Sequence, residues 1–550
     1  MRVLHLLAFS AAAALFAPPA TSQFWSDRFA PPSAGGLGFD VGDHTTSAFA
    51  VFDSGSGPEL YVGGAFLDAG GTPVNNIARW TGSGWADVGG GVQVGTVNSM
   101  IVWDDGTGPA LYVAGGFGRA GSVTVNSIAK WDGTTWSDVG GGLYGAAYVN
   151  FVPAMAVFDD GTGEALYCGG AFQLAGTTGE QVLNLAKWDG TKWADVGGGV
   201  ANPVFNCCVW ALEVFDDGTG PALYVGGEEG LAGGSVNFPG IARWDGTSWS
   251  QLGTGLSGAY INWATAMHVW DDGTGDALYV GGCFTTAGSV TANNIAKWDG
   301  SQWSALGGGM TGDGTGFIGC ASPGFDMVGF DSGSGEELWV AGRFLFADGV
   351  RSENIARWDG AQWRGARSGV HGPSTAYPAN VEVNEMIVFD DPTDGAGPAL
   401  WVMGEFEIAG SQQSSHIGVW GPTQPTLSAD NSVMVLDALS TQNMTLDAGA
   451  GEGGNGYVVL GSASGTFPGL SFQSVTIPLN GDAYFSSSIL GVAPIVGSVG
   501  VLGASGTANA QLVLPSLPSG LSGLILSHAF VTVSGSTINL ASNPIQAVLR

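Results

Sequence analysis

Basic residues are scarce in this chain: 15 Lys and Arg stand against 47 Asp and Glu, a formal net charge of −32. Nucleic acid and anionic lipid surfaces both require clustered cations to neutralise phosphate, so this balance excludes them as partners. Histidine is also rare. His5, His44, His268, His371, His416 and His528 share no spacing, which leaves no ligand set for copper or zinc. Five cysteines, at 168, 207, 208, 283 and 320, form no CxxC pair and leave their connectivity open. Gly-x-Ser-x-Gly, P-loop and His-Glu-x-x-His motifs are absent, which removes the commonest hydrolase, nucleotide and metalloprotease signatures. No hydrophobic run is long enough for a membrane span. The one apolar stretch, Val3 to Phe16, follows Arg2 and precedes Ala20-Thr21-Ser22. It reads as a secretory signal over 1–22, cleaved near Ser22–Gln23, so the mature protein is expected to be secreted or displayed at the cell surface.

Glycine, by contrast, is abundant, at 95 residues, and it is periodic. The string Leu111-Tyr-Val-Ala-Gly-Gly-Phe, followed by Ile128-Ala-Lys-Trp-Asp-Gly-Thr-Thr-Trp136, belongs to a unit that starts again at Leu60, Leu166, Leu223, Leu278, Leu338 and Leu400. The seven copies are 51 to 62 residues apart. A β-rich unit of that length stacks into a radial array of four-stranded blades. In the second copy the four strands are expected at 99–103, 110–114, 128–131 and 136–139. Asp132-Gly133 should close the last two as a type I′ hairpin turn. The seventh copy stops at Trp420 without its second tryptophan, and Trp25-Ser-Asp27 matches the missing strand. The N-terminal segment is therefore expected to complete the last blade and remove two open sheet edges.

Two features could carry chemistry. Between the first two strands of each copy lies an acidic turn, including Asp104-Asp105, Asp159-Asp160, Asp216-Asp217 and Asp271-Asp272. Paired carboxylates supply part of a calcium shell. The competing reading is that Asp-Asp-Gly only makes the turn, paired with the cations that precede the first tryptophan, namely Arg79, Lys130, Lys187, Arg243, Lys297 and Arg357. The repeated tryptophan pairs suit packing between blades. The irregular aromatics Trp210, Trp263, Phe317 and Tyr377, with Tyr148 and Phe151, are the better ligand candidates. They fall near the most variable connections, from the fourth strand to the next copy. The longest of these run from Thr311 to Phe325 and from His371 to Asn384, and loops on a rigid scaffold are where binding residues gather.

Beyond Pro422 the composition changes. Residues 423–550 contain no tryptophan and no cation but Arg550. Short alternating apolar stretches such as Gly456-Tyr-Val-Val-Leu-Gly461 are separated by Gly, Pro and Ser, the pattern of a β-sandwich. The paired glycines after Leu-Tyr-Val and the spaced aromatics resemble the kelch and galactose-oxidase-like propeller superfamily, although Trp131 to Trp136 is a shorter interval than kelch uses. The whole repeat, with the tail carrying Leu446-Asp-Ala-Gly and Asn480-Gly-Asp-Ala-Tyr-Phe485, resembles exported bacterial proteins of the planctomycete type. The repeat is also similar to those of fungal cortical-marker proteins of the cell surface.

The chain is thus expected to be all-β. A seven-bladed β-propeller over 23–421 is followed by a β-sandwich over 422–550. Two functions follow: a monomeric, non-enzymatic scaffold that binds a polysaccharide or protein through its variable face, or a hydrolase or lyase with loop-borne carboxylates such as Asp313, Asp326, Glu382 or Glu385.

Overall fold

In the computed structural model each of the first six copies of the repeat becomes one four-stranded antiparallel sheet whose strand order is the order along the chain. The described residues are 46–421, with gaps at 94, 146–149, 202–208, 259–261, 313–324, 333–334, 367–368, 373–380, 394–396 and 410–411. Residues 23–25, 29 and 38–39 are also described, and beyond 421 the backbone of the strands. No helix occurs among them. By internal packing the chain divides into two compact units, Phe24–Gly421 and one that holds Pro422–Arg550.

Sheet 2 illustrates the design. Its strands are Val97–Asp104, Pro109–Gly115, Ile128–Trp131 and Trp136–Asp138. The second strand is apolar along its length because sheets cover both of its faces, and Leu111, Tyr112 and Val113 are fully buried. The outer hairpin pairs Trp131 with Trp136. Its turn differs from the expected type I′: Gly133 alone takes a positive φ, of 95°. The Asp132 carboxylate instead accepts the N–H groups of Thr134 and Thr135 at 2.8 and 2.7 Å. An Asx-type clasp thus does what two left-handed residues would have done.

The first strands, Thr46–Asp53, Val97–Asp104, Phe151–Asp159, Val209–Asp216, Trp263–Asp271, Phe325–Asp331 and Glu382–Phe389, define sheets 1 to 7. Apolar clusters join each sheet to the next. Sheet 1 meets sheet 2 through Phe52, Tyr61, Val97 and Trp131, and the series continues through sheets 3, 4, 5, 6 and 7. Sheet 7 then packs on sheet 1 through Trp401, Met403, Phe49 and Trp80. The tryptophan pairs lie in these seams, with ring centroids 5.1 Å apart for Trp131 and Trp136. The second tryptophan donates its indole N–H across the seam, Trp136 to the Val88 carbonyl at 2.9 Å and Trp193 to Val139 at 2.9 Å.

Sheet 7 takes its outer strand from the other end of the unit. Gln23–Trp25 pairs with Ile417–Pro422, which pairs in turn with Ala399–Glu405. Phe29 is then fully buried against Trp80 and Trp401, at 5.5 and 5.3 Å between centroids. Its carbonyl accepts the Ser415 N–H at 2.8 Å.

A second set of short strands, which the repeat did not announce, links neighbours on one face. Val92–Gln93, leading into sheet 2, pairs with Arg119–Ala120 in the connection between the second and third strands of that sheet. Phe39 makes the corresponding bridge to Ala69 of sheet 1. Phe39 thus links to sheet 1 as Val92 links to sheet 2.

In the C-terminal unit, Thr426–Ala429, Ser440–Asp447, Thr507–Leu514 and Ile495–Val496 form one antiparallel sheet. A larger sheet runs Val433–Met434, Ile545–Leu549, Ile525–Ser534, Gly456–Ser462 and Val499–Val501. Its first pair is parallel.

Candidate functional site

The acidic turns are closed hydrogen-bonding devices. In sheet 2, Asp104 Oδ1 accepts the N–H groups of Gly106 and Gly108 at 2.8 and 2.9 Å. Asp105 accepts from the Thr107 hydroxyl at 2.6 Å, from the Tyr112 hydroxyl at 2.8 Å and from Lys130 Nζ at 2.6 Å. Burial alone would raise the Asp105 carboxyl, but these bonds, Lys130 foremost, outweigh it and bring it to about 2. The same set recurs as Asp160–Lys187, Asp217–Arg243 and Asp272–Lys297. Asp159, Asp216 and Asp271 repeat the role of Asp104.

In these four turns a protein cation therefore sits where calcium would need to approach the second carboxylate. Among the described residues no three His, Cys, Asp or Glu side chains gather as a metal shell. Copies 1 and 6 replace the second Asp by Ser54 and Ser332, and the acid reappears on the second strand, as Glu59 with Arg79 and Glu337 with Arg357. Copy 7 has Val419 at the cation's register, and there Asp391 takes the indole N–H of Trp80 at 2.8 Å.

The irregular aromatics behave differently. Trp210 and Trp263 lie at the starts of the first strands of sheets 4 and 5, stacked with centroids 6.4 Å apart and planes at 27°. Phe151, at the start of sheet 3, meets Trp210 edge-on at 5.1 Å. All three are partly exposed, unlike the seam tryptophans of sheets 2 and 3. β-Bulges aim this end of the strands. Trp210 is the extra residue between Val209 and Ala211, and Thr265 is the extra residue between Ala264 and Ala266. A side chain on Gly282 would collide with the Trp263 carbonyl, so glycine is what lets the second strand pass this close. Trp263 pairs in register with Cys283, which is disulfide-bonded.

Around the rings stand Glu228, Glu229 and Asn262. Burial raises the Glu228 carboxyl, partly offset by the neighbouring Trp210 side chain. Asn262 donates its Nδ2 to Glu229 Oε2 at 3.3 Å, and its Oδ1 is buried without a hydrogen-bond partner. Phe317, Tyr377, Tyr148 and Asp313 lie outside the described residues, as do Cys207, Cys208, Cys320 and the 1–22 segment. Cys168 is a buried free thiol whose pKa burial pushes up.

The first strands also carry titratable groups that bond to the following sheet. Asp326 of sheet 6 accepts the Met386 N–H of sheet 7 at 2.6 Å. Glu385 of sheet 7 accepts the Phe49 N–H of sheet 1 at 2.8 Å. His268 of sheet 5 takes the Gly329 N–H of sheet 6 on Nε2 at 3.3 Å. Each of these bonds satisfies a strand-edge amide of the following sheet. Burial pushes Asp326 up to about 7. It also raises Glu385, with repulsion from Asp326 adding to the rise. Glu213 of sheet 4 is carried to about 7 by burial, and His268 is lowered by the same cause. Glu382, at the start of the same strand as Glu385, is buried and paired in register with Glu405.

Comparison with known proteins adds little. No family model and no curated protein matches the chain. Among solved structures, the extracellular domain of the putative one component system BT4673 from B. thetaiotaomicron aligns at 10% identity with a TM-score of 0.25, over 92% of this chain and 86% of that one. The extracellular domain of the putative hybrid two component system BT4673 aligns at 9% identity, with the same coverage and TM-score. Similarity that low carries no argument about fold or function.

Of the residues singled out by sequence, the structure brings Trp210 to Trp263 and Asp326 to Glu385, while Glu382 faces Glu405. Sequence reasoning passed over Glu213, His268, Glu228 and Asn262. The signal for the first two was available: three residues before the closing aspartate of the first strand, the other copies carry Ala50, Ile101, Ala156, Val328 and Ile387. A polar residue at an apolar register marks a place where the repeat has been altered.

Proposed function

We propose that this chain is an exported, non-enzymatic binding protein. Its seven sheets are the blades of a kelch-like seven-bladed propeller, and the C-terminal unit is a β-sandwich. Support for the ring comes from the seam between sheets 7 and 1 and from the outer strand supplied by Gln23–Trp25. Support for export comes from the signal-like N-terminus and the disulfide at Cys283, a bond that persists in oxidising compartments. Among the described residues no helix is long and apolar enough to cross a membrane.

The observation that carries the binding role is the partly exposed group Phe151, Trp210 and Trp263. These rings interrupt the repeat at the face where connections vary, and each leaves apolar surface for a partner. Retention of the mature protein on an array of immobilised polysaccharides and proteins, with released product scored in the same wells, tests the reading. Retention without release is expected. Capture should be lost in Trp210→Ala with the fold unchanged by circular dichroism, and undiminished capture by that variant removes the site.

A second reading, a glycan hydrolase or lyase, draws on one observation: Asp326 and Glu385 form an interacting carboxyl pair on adjacent inner strands. Both carboxyls, however, already accept a backbone N–H from the next sheet. Oligosaccharide release abolished by Glu385→Gln would establish the enzyme instead.

A further inference from the structure

We infer that sheet 6 is held between two proton-controlled latches of opposite sign: an imidazole latch from sheet 5 that opens in acid, and a carboxyl latch to sheets 7 and 1 that opens in alkali.

Three consecutive seams are bridged in the same way. His268 reaches from sheet 5 to the Gly329 N–H of sheet 6 at 3.3 Å. Asp326 reaches from sheet 6 to the Met386 N–H of sheet 7 at 2.6 Å, and Glu385 from sheet 7 to the Phe49 N–H of sheet 1 at 2.8 Å. Counted back from the aspartate that closes each first strand, Asp326 and Glu385 hold one register. The other copies carry Ala48, Ser99, Ala154, Ala211 and Ala266 there. Ser99 bridges its own seam by donating to the Val152 carbonyl at 2.8 Å, but a hydroxyl does not change charge near neutrality. Glu213 stands at the register of His268, yet its Oε1 takes the N–H of its own neighbour Val214 at 3.2 Å. Among the described residues, titratable bridges of this kind are therefore confined to the seams on either side of sheets 6 and 7.

The two latches respond oppositely because the imidazole gains charge on protonation and the carboxyls lose it. Nε2 of His268 accepts, so the neutral ring carries its proton on Nδ1. A second proton, taken from water, lands on Nε2 and sets two donors face to face, which breaks the bond to Gly329. Beside that amide stands Glu336, whose Oε1 takes the Trp270 indole N–H across the same seam at 3.0 Å. A side chain on Gly329 would stand 2.8 Å from that oxygen, so glycine lets the strand lie this close. At the next seam Asp326 and Glu385 repel each other, and none of the described cations acts on either. Loss of both protons to water leaves two poorly hydrated like charges, a state relieved when the strands part and water enters. Sheet 1 offers Glu385 the Phe49 amide, flanked by Ala48 and Ala50, with no titratable side chain. The other acid of this strand, Glu382, lies at its start beside Glu405, on which Arg343 acts. Burial separates the two transitions: His268 titrates below its usual value near 6.5, Asp326 at about 7.

The test is hydrogen exchange of the full mature chain, read at single amides by fragmentation mass spectrometry from about pH 4 to about pH 8.5, each rate divided by the intrinsic rate at that pH. Protection of Gly329 should fall by about tenfold or more from about pH 7 down to about pH 5. Protection of Met386 and Phe49 should fall by a similar factor from about pH 6 up to about pH 8. Met100 and Met155, the equivalent amides of sheets 2 and 3, should stay constant. His268→Gln keeps an acceptor and takes no proton, so it should abolish the acid response at Gly329 alone. Asp326→Asn should abolish the alkaline response at Met386 and Phe49 and leave Gly329 as it was. Protection lost at Met100 and Met155 in step with the latch amides would mean that the whole unit unfolds, which overturns both latches. Each latch also falls if its own amide stays flat, or if its response survives its variant. Should a variant fold poorly, the wild-type profile decides, because only separate latches give opposite signs at Gly329 and Met386.

Discussion

The ion pairs of sheets 2 to 5 show how one residue's surroundings set its worth. Exposed pairs of this kind stabilise by at most about 1 kcal/mol. Here the Lys130 and Asp105 side chains keep only 13% and 9% of their surface exposed, and Asp105 has further donors in Thr107 and Tyr112. Lys130→Met should therefore cost about 1–3 kcal/mol, because it leaves a carboxylate in place with a donor removed. The double change with Asp105→Asn should recover part of that loss, and urea midpoints compare the two directly. Arg364, half-exposed beside Asp359, supplies the control, since Arg364→Ala should move the midpoint by no more than about 0.5 kcal/mol. The sequence placed these cations near their acids through the parity of the strands. It could not show that Tyr112 and Thr107 would close around the carboxylate, since that depends on how deeply the second strand is covered.

At the scale of elements, the decisive piece is the N-terminal segment. Gln23–Trp25 gives sheet 7 its outer strand, Phe29 fills the seam between sheets 7 and 1, and Phe39 bridges to Ala69 while packing on Phe66 and Trp85. Phe29→Ala should destabilise the unit by about 3–5 kcal/mol, the cost of emptying a fully buried aromatic site. A midpoint unchanged from wild type in guanidinium would mean that this segment holds nothing together. The match of Trp25-Ser-Asp27 to Trp136-Ser-Asp138 made an N-terminal outer strand for sheet 7 legible beforehand, but the strand runs over Gln23–Trp25, and residues 26 and 27 lie outside the described residues. Phe29 and Phe39 were not legible: Phe39 takes the place that Val92 and Leu143 hold in other copies, but no repeated spacing marks it, and the value of both rings arises where first and last copies meet.

For the molecule as a whole, pH dependence follows from two opposed groups of carboxyls. Asp105 and Asp160 are held at about 2, below their unfolded range, so their stabilisation is present above about pH 4 and is lost as pH falls through about 2. Asp326 and Glu213 sit at about 7, above that range, and Glu385 is raised as well. The folded state binds their protons more tightly, so stability falls as pH rises from about 4 through about 7. His268, lowered by burial, acts in the other direction below its usual value near 6.5. Melting temperature should peak in mildly acidic solution and decline by pH 8. Asp326→Asn with Glu385→Gln keeps both acceptors for the Met386 and Phe49 amides and should flatten that decline. Parallel wild-type and variant profiles from pH 5 to 8 would show that these carboxyls do not govern it.

The sequence by itself determined the repeat, its seven copies, the strand order within each sheet and the separate character of the tail. It could do so because these rest on local periodicity and on glycines and aromatics at fixed spacing. Tertiary structure alone decided which altered positions meet. Trp210 and Trp263 are 53 residues apart, and Asp326 and Glu385 are 59. Asp326 and Glu385 come together because equivalent positions of consecutive copies become neighbours when the sheets pack side by side, whereas Trp210 reaches Trp263 from a bulge position whose counterpart in sheet 5 is Thr265. A one-residue bulge then sets what reaches the face, and the burial that pushes Asp326 to about 7 exists only once sheets 6 and 7 have packed together.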